Sequence, residues 1–172
     1  GRPENASGSS VTCLMEGTRP ILAEIQALTS PTGFGMPRRA AEGMDYNRMV
    51  LLIAIIEKKL GITMQNQDAY INVIGGLKID ETSADLSVIC SIVSSLKNKS
   101  LDPGTVFLGE AGLSGEIRAV SNIKLRVAEA ARLGFSKAVI PAANLKAASE
   151  EKGITLIPVK TIMDVLREDI YV

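Results

Sequence analysis

Apolar positions along this chain change period several times, and each change marks an element. Val11 to Glu16 and Ile21 to Leu28 are two apolar runs parted by Gly17-Thr18-Arg19-Pro20, the pattern of two strands joined by a turn. A polar loop with Gly33, Gly35 and Pro37 follows. From Asp45 the period lengthens: Met49, Leu52, Ile53, Ile56 and Leu60 share one face of a helix, with Asp45 placed to cap its start and Gly61 to end it. Ala69 to Ile74 reads as a strand stopped by Gly75-Gly76, and Leu77 to Ile79 as another short one. Leu86, Ile89, Cys90, Val93 and Leu96 then repeat the helical stripe.

Beyond the turn at Asp102-Pro103-Gly104, Val106 to Leu108 and Gly115 to Val120 read as a hairpin across a Gly-rich stretch. Ile123, Val127, Ala130 and Ala131 form a third helical face closed by Gly134. Strand Ala138 to Ile140, a polar helical segment near Ala143 to Glu151, strand Thr155 to Ile157 and a helix near Thr161 to Arg167 complete the pattern. Hairpins early and alternating helix and strand late predict an α+β domain, mixed sheets with packed helices, over residues 11–172. Residues 1–10, rich in Gly, Ser, Asn and Pro, read as a linker or an added end, suggesting a chain separated from something upstream.

Composition narrows the picture. A chain of 172 residues is one domain's worth and buries roughly two-thirds of its unfolded surface. With 46% hydrophobic residues, 3% aromatic and no Trp, its core is aliphatic. Lys plus Arg equals Asp plus Glu at 19 each, so any nucleic-acid contact must be a local patch. The longest apolar stretch, Met49 to Ile56, is far short of the ~20 residues a bilayer requires, and no signal pattern opens the chain; a soluble, cytoplasmic protein without a membrane partner is expected. Cys13 and Cys90 read as buried free thiols. With no His, the base of Ser-His-Asp enzymes and the commonest zinc ligand are missing, and with no P-loop the chain is not an ATPase by itself; no cofactor is expected in this domain.

Two positions can still carry chemistry. Ser83, in Glu81-Thr82-Ser83-Ala84-Asp85, stands where an extended segment enters a helix, beside N–H groups suited to an oxyanion. Lys124 begins the next helix, and a lysine partly withdrawn from water can serve a serine as base. The same residues also fit plainer roles: Thr82 with Asp85 a capping box, Ser83 an N-cap, Lys124 a solvated cation.

Glu16-Gly17-Thr18-Arg19-Pro20, Glu24-Ile25-Gln26-Ala27-Leu28, Pro37-Arg38-Arg39, Asn72-Val73-Ile74-Gly75-Gly76, Glu81 to Leu86, and Gly109 to Arg118 follow one another in an order that resembles the C-terminal domain of the bacterial RadA/Sms DNA-repair family. The resemblance runs from Val11 to the C-terminus, and that domain is similar in turn to the Lon protease domain. It implies a Lon protease-like fold, with Ser83 and Lys124 at the positions of the Lon Ser-Lys dyad. This chain departs from Lon by setting Glu81 and Asp85 around the serine and by placing Ala119 to Asn122 ahead of the lysine where Lon has Pro-x-Gly-Gly. Carboxylates there favour the ammonium form of lysine and oppose an oxyanion, so an inactive dyad is expected.

By the same resemblance the domain is a ring-forming scaffold that guides DNA within a DNA-dependent ATPase acting on recombination intermediates by branch migration. Its implied partners are further copies in a homo-hexameric ring, DNA, and the RecA-type ATPase domain of the same chain, with ATP and zinc held upstream. The alternatives are an ATP-dependent Ser-Lys peptidase of Lon type and a remnant cleft that binds peptide without cutting it. A head-to-tail ring requires two different complementary faces. Arg38, Arg39, Lys58, Lys59, Lys97 and Lys99 are the candidate phosphate contacts, or else ordinary solvated surface. Phe34, Phe107 and Phe135 are too scattered along the chain to make a stacking platform.

Overall fold

The computed structural model describes residues 6–172, so the first half of the expected linker lies outside the described residues. Strand β1 (Ser9–Glu16) starts two residues before the expected Val11, which puts Ser9 and Ser10 in the sheet rather than the linker. It pairs antiparallel with β2 (Arg19–Pro31) through a two-residue turn, Glu16 opposite Arg19, with Gly17 at φ 61°. The chain then forms β3 (Arg39–Glu42), helix α1 (Tyr46–Leu60), β4 (Gln67–Val73), α2 (Asp85–Lys97) and β5 (Thr105–Phe107). The last part contributes β6 (Glu110–Ala111), β7 (Ile117–Arg118), α3 (Ile123–Arg132), β8 (Lys137–Pro141), the one-turn α4 (Leu145–Ala148) and β9 (Thr155–Val159).

Seven strands make one mixed sheet in the order β3-β4-β2-β1-β5-β8-β9, and β6 with β7 forms a separate small ribbon. The α+β class expected from the pattern holds. Helix α1 begins and ends where its caps dictate: the Asp45 carboxylate accepts the Arg48 N–H, and Gly61 takes the left-handed conformation.

Period-two alternation assigns each strand residue a face. Ala23, Ile25 and Ala27 of β2 and Ala69, Ile71 and Val73 of β4 are buried, and most join α1 and α2 in the larger core. Residues of that core such as Ile25, Leu52, Ile89 and Phe107 are fully buried, each side chain contributing about 1.5–3 kcal/mol. Helix α2 approaches the sheet on serines, where the Ser10 hydroxyl meets those of Ser87 and Ser91 at 2.5 and 2.6 Å. On the opposite face Val11, Cys13, Val106, Ala138 and Ile140 pack with Ile123, Val127 and Ala130 of α3. Cys13 and Cys90 are buried and free, as expected, and burial pushes both thiols well above the usual range.

Several expectations are corrected. Strand β3 falls inside the presumed polar loop; it forms because β4 supplies a parallel partner and Ala41 packs on the core, neither of which local sequence displays. Leu77 to Ile79 makes no strand: the Ile79 N–H donates to the Gly43 carbonyl, and Leu77 and Ile79 pack on the larger core. The expected hairpin from Val106 to Val120 is absent: β5 is a buried central strand parallel to β1 and β8, and the ribbon is β6 with β7. The helix near 143–151 is one turn, and that near 161–167 is a 3-10 segment opened by a Thr161/Asp164 capping box.

Candidate functional site

The two cores meet at the start of α2. The chain leaves β4 through the 3-10 turn Ile74–Gly76, runs extended through Glu81, and turns through Thr82–Ala84 into the helix. This brings Ser83, 5% exposed, against α3. The Ser83 hydroxyl donates to the Glu81 carboxylate and accepts from the Arg126 guanidinium at 2.9 Å. Arg126, 2% exposed, also pairs with Glu81 and donates to the carbonyls of Cys13 and Ser121, each at 2.8 Å. The Met15 N–H closes the cluster by donating to Glu81 at 3.1 Å.

Burial raises the Glu81 pKa, but the hydrogen bonds from Ser83, Arg126 and Met15 outweigh it and hold the carboxyl below the usual range. Ser83 is thus flanked by a carboxylate held below its usual range and by a guanidinium that never deprotonates. Three amides near it are engaged as well. Asp85 N–H donates to the Thr82 carbonyl, Leu86 N–H donates to the Gly109 carbonyl at 3.0 Å, and Gly109 N–H donates back to the Ser83 carbonyl at 2.9 Å. Only glycine fits there, since a Cβ on Gly109 would stand 2.8 Å from Ile117 Cγ2.

Neither capping role forms. Thr82 hydrogen-bonds Glu110, and the α2 N-cap is Ala84, which has no side-chain bond to give. Asp85 is instead buried in a fork with Arg48, whose Nε donates at 3.1 Å, and accepts the Ala111 N–H at 3.0 Å. Burial pushes the Asp85 carboxyl up, and these bonds offset only part of the rise. A cleft of about 220 Å³ opens on this side, lined by Thr82, Ala84, Asp80, Glu81 and Asp85 but not by Ser83.

Lys124 stands apart: it is exposed and its ammonium pairs with Glu150 at 2.6 Å. No hydrogen bond joins it to Ser83 among the described residues, and the cation the fold brings to the serine is Arg126, two positions on. Sequence reasoning missed Arg126 although a signal was present. It lies on the Ile123, Val127, Ala130 stripe, a charge on a face that otherwise goes inside.

Of the six candidate phosphate contacts, two are occupied. Arg39 donates to the carbonyls of Gln67 and Met64, and Lys99 pairs with Glu168 at 2.9 Å and lies over the Tyr171 ring. Arg38, Lys58, Lys59 and Lys97 are exposed and make no ion pair among the described residues. Local bonds bring the ends of the elements that carry them near one another. Arg39 ties the start of β3 to Met64 just past α1, and the Thr29 N–H donates to Ser95 near the end of α2.

A family model described as ChlI, subunit ChlI of Mg-chelatase, matches residues 34–144. The chain is also 53% identical over 166 residues to a DNA repair protein RadA of Bacillus subtilis, a match covering 96% of this chain and 36% of that protein. Proteins of the same description from Halalkalibacterium halodurans and Streptococcus pneumoniae are 50% and 48% identical, over 96% and 97% of this chain and 36% and 40% of their own lengths. The chain therefore spans well under half of the curated relatives it matches, the extent of one domain of RadA, in accord with the resemblance of its motifs.

Proposed function

Because the chain belongs to the family described as subunit ChlI of Mg-chelatase and matches a domain-sized part of RadA, we propose that it is a non-catalytic, ring-forming scaffold and DNA-guiding domain of a repair ATPase acting on recombination intermediates. The observation that carries the non-catalytic half is the Ser83 hydroxyl held between Glu81 and Arg126, with Lys124 engaged by Glu150. The mixed sheet covered by helices is compatible with a Lon-type fold whose serine has been drawn into a buried polar cluster and whose lysine has been left on the surface. DNA would meet Arg38, Lys58, Lys59 and Lys97 through its backbone, without base preference. The RecA-type motor, with ATP and zinc, would lie in the parts of the repair protein outside this chain.

Light scattering across a concentration series, a fluorogenic peptide assay with Ser83→Ala as control, and DNA binding against salt test this reading together. Assemblies of six, no turnover that depends on Ser83, and a salt slope reduced by about one for each lysine neutralised are expected. Ser83-dependent cleavage would replace the scaffold with the peptidase.

A further inference from the structure

Among the described residues, the second face of the sheet is covered on one side only. Helix α3 lies over β1, β5 and β8, whereas β2, β3 and β4 turn Gln26, Leu28, Ala40, Glu42, Tyr70 and Asn72 outward into an open groove of about 480 Å³. Its floor is largely apolar, Leu28 is 61% exposed, and Glu42 stands at it without an ion pair among the described residues. The loop between β2 and β3 has the converse character. Phe34 and Met36 are 106% and 89% exposed, the two most exposed large apolar side chains among the described residues. The loop is held in that form: the Asp68 carboxylate accepts the Thr32 hydroxyl at 3.1 Å and the Arg38 N–H at 2.7 Å, fastening both ends of the loop.

We propose that the Phe34–Met36 tip of one copy of this chain inserts into the β2-β3-β4 groove of the next, with Arg38 at the base of the tip meeting Glu42 at the groove. The tip is an apolar pair followed by an unpaired cation, and the groove is an apolar floor beside an unpaired carboxylate, so the complementarity covers both shape class and charge. The groove volume lies in the range that encloses drug-sized molecules, about 300–1,000 Å³, enough for one aromatic and one thioether side chain. Tip and groove do not overlap, although the groove begins one register step from the base of the loop, so a copy can offer its tip to one neighbour while its groove receives the tip of another, as a ring or an open chain needs. An aromatic side chain buries about 150–250 Å². This contact alone therefore falls below the roughly 1,000 Å² of a stable interface, and self-association is weak and concentration-dependent. The inference rests on the ring reading above and gives that ring a contact. It also assigns Arg38 to a carboxylate, leaving Lys58, Lys59 and Lys97 for phosphate.

Sedimentation of this chain over a concentration series, with unfolding curves as folding controls, tests it. Phe34→Ser and Leu28→Glu are each expected to weaken self-association at least tenfold with unfolding unchanged. Their mixture, one copy keeping the groove and the other the tip, is expected to give a dimer that neither forms alone. Glu42→Arg should weaken assembly, and adding Arg38→Glu should restore it. Wild-type assembly untouched by these changes would overturn the inference and leave the ring reading standing, while a wild-type chain monomeric at every concentration would overturn both. Phe34→Ser that costs DNA binding but not assembly would assign the tip to nucleic acid and overturn the proposal.

Discussion

At the Ser83 corner, polar groups have been taken out of water and given to one another, so that serine, carboxylate and guanidinium satisfy each other. At the Phe34 tip the reverse holds: apolar side chains are held in water on a stapled loop, with a groove of matching character elsewhere on the same molecule. Burial of charge costs free energy unless every group is paired, and exposure of large apolar side chains gains nothing until something covers them. The polar groups of the corner are thus paired within the chain, and the apolar side chains of the tip are uncovered among the described residues; the sequence had marked the corner for one half of a Ser-Lys dyad expected to be inactive.

The contrast can be broken most severely at Arg126. Arg126→Met strips Glu81 and Ser83 of their cation and frees two carbonyls, and should cost about 3–5 kcal/mol in urea unfolding. A loss under about 1 kcal/mol would mean the corner is solvated and available for catalysis. Asp85→Asn removes the charge from the Arg48 fork, and because Arg48 is partly exposed a smaller loss of about 1–3 kcal/mol is expected, read from the unfolding midpoint.

Acid sharpens the same comparison. The Glu81 carboxyl sits below its unfolded value of 4.5, so its contribution is present above that pH and is lost as the pH falls through the folded value. Asp85 runs the other way: raised above 3.8 by burial, its contribution is present below that pH and lost as the pH rises through the folded value. Glu81→Gln should therefore lose less stability than wild type between pH 6 and pH 3, and an unchanged acid limb would count against the cluster. The smallest effect on folding belongs to the tip, where Phe34→Ser should leave unfolding within about 0.5 kcal/mol of wild type even as self-association weakens. A larger destabilisation would show that Phe34 packs on its own chain.

Much of the architecture was legible because it is local. Asp45 and Gly61 mark the ends of α1, the stripe from Ile123 to Ala130 marks α3, and Gly17-Thr18 marks the first hairpin. Strand β3 was not, since Arg39-Ala40-Ala41-Glu42 has little strand propensity and exists through its pairing with β4. The Val106 to Val120 hairpin failed for a related reason: a short apolar run reads alike in a ribbon and in a sheet's centre. Ser83 was found by its place before a helix, but its partner was sought at Lys124 rather than Arg126, two residues away on the buried face.

By itself the sequence determined where the capped and strongly periodic elements lie, which of their faces turn inward, and, through ordered motifs, the likeness to RadA. Those properties follow from backbone conformation, caps and period, which a residue carries with it. Only the tertiary structure decided that Ser83 faces a guanidinium and a carboxylate, that Lys124 faces Glu150, and that part of one sheet face stays open among the described residues. Period tells which way a side chain turns but not what it meets, and what a buried hydroxyl or an exposed ring does depends on the groups that distant parts of the chain bring to it.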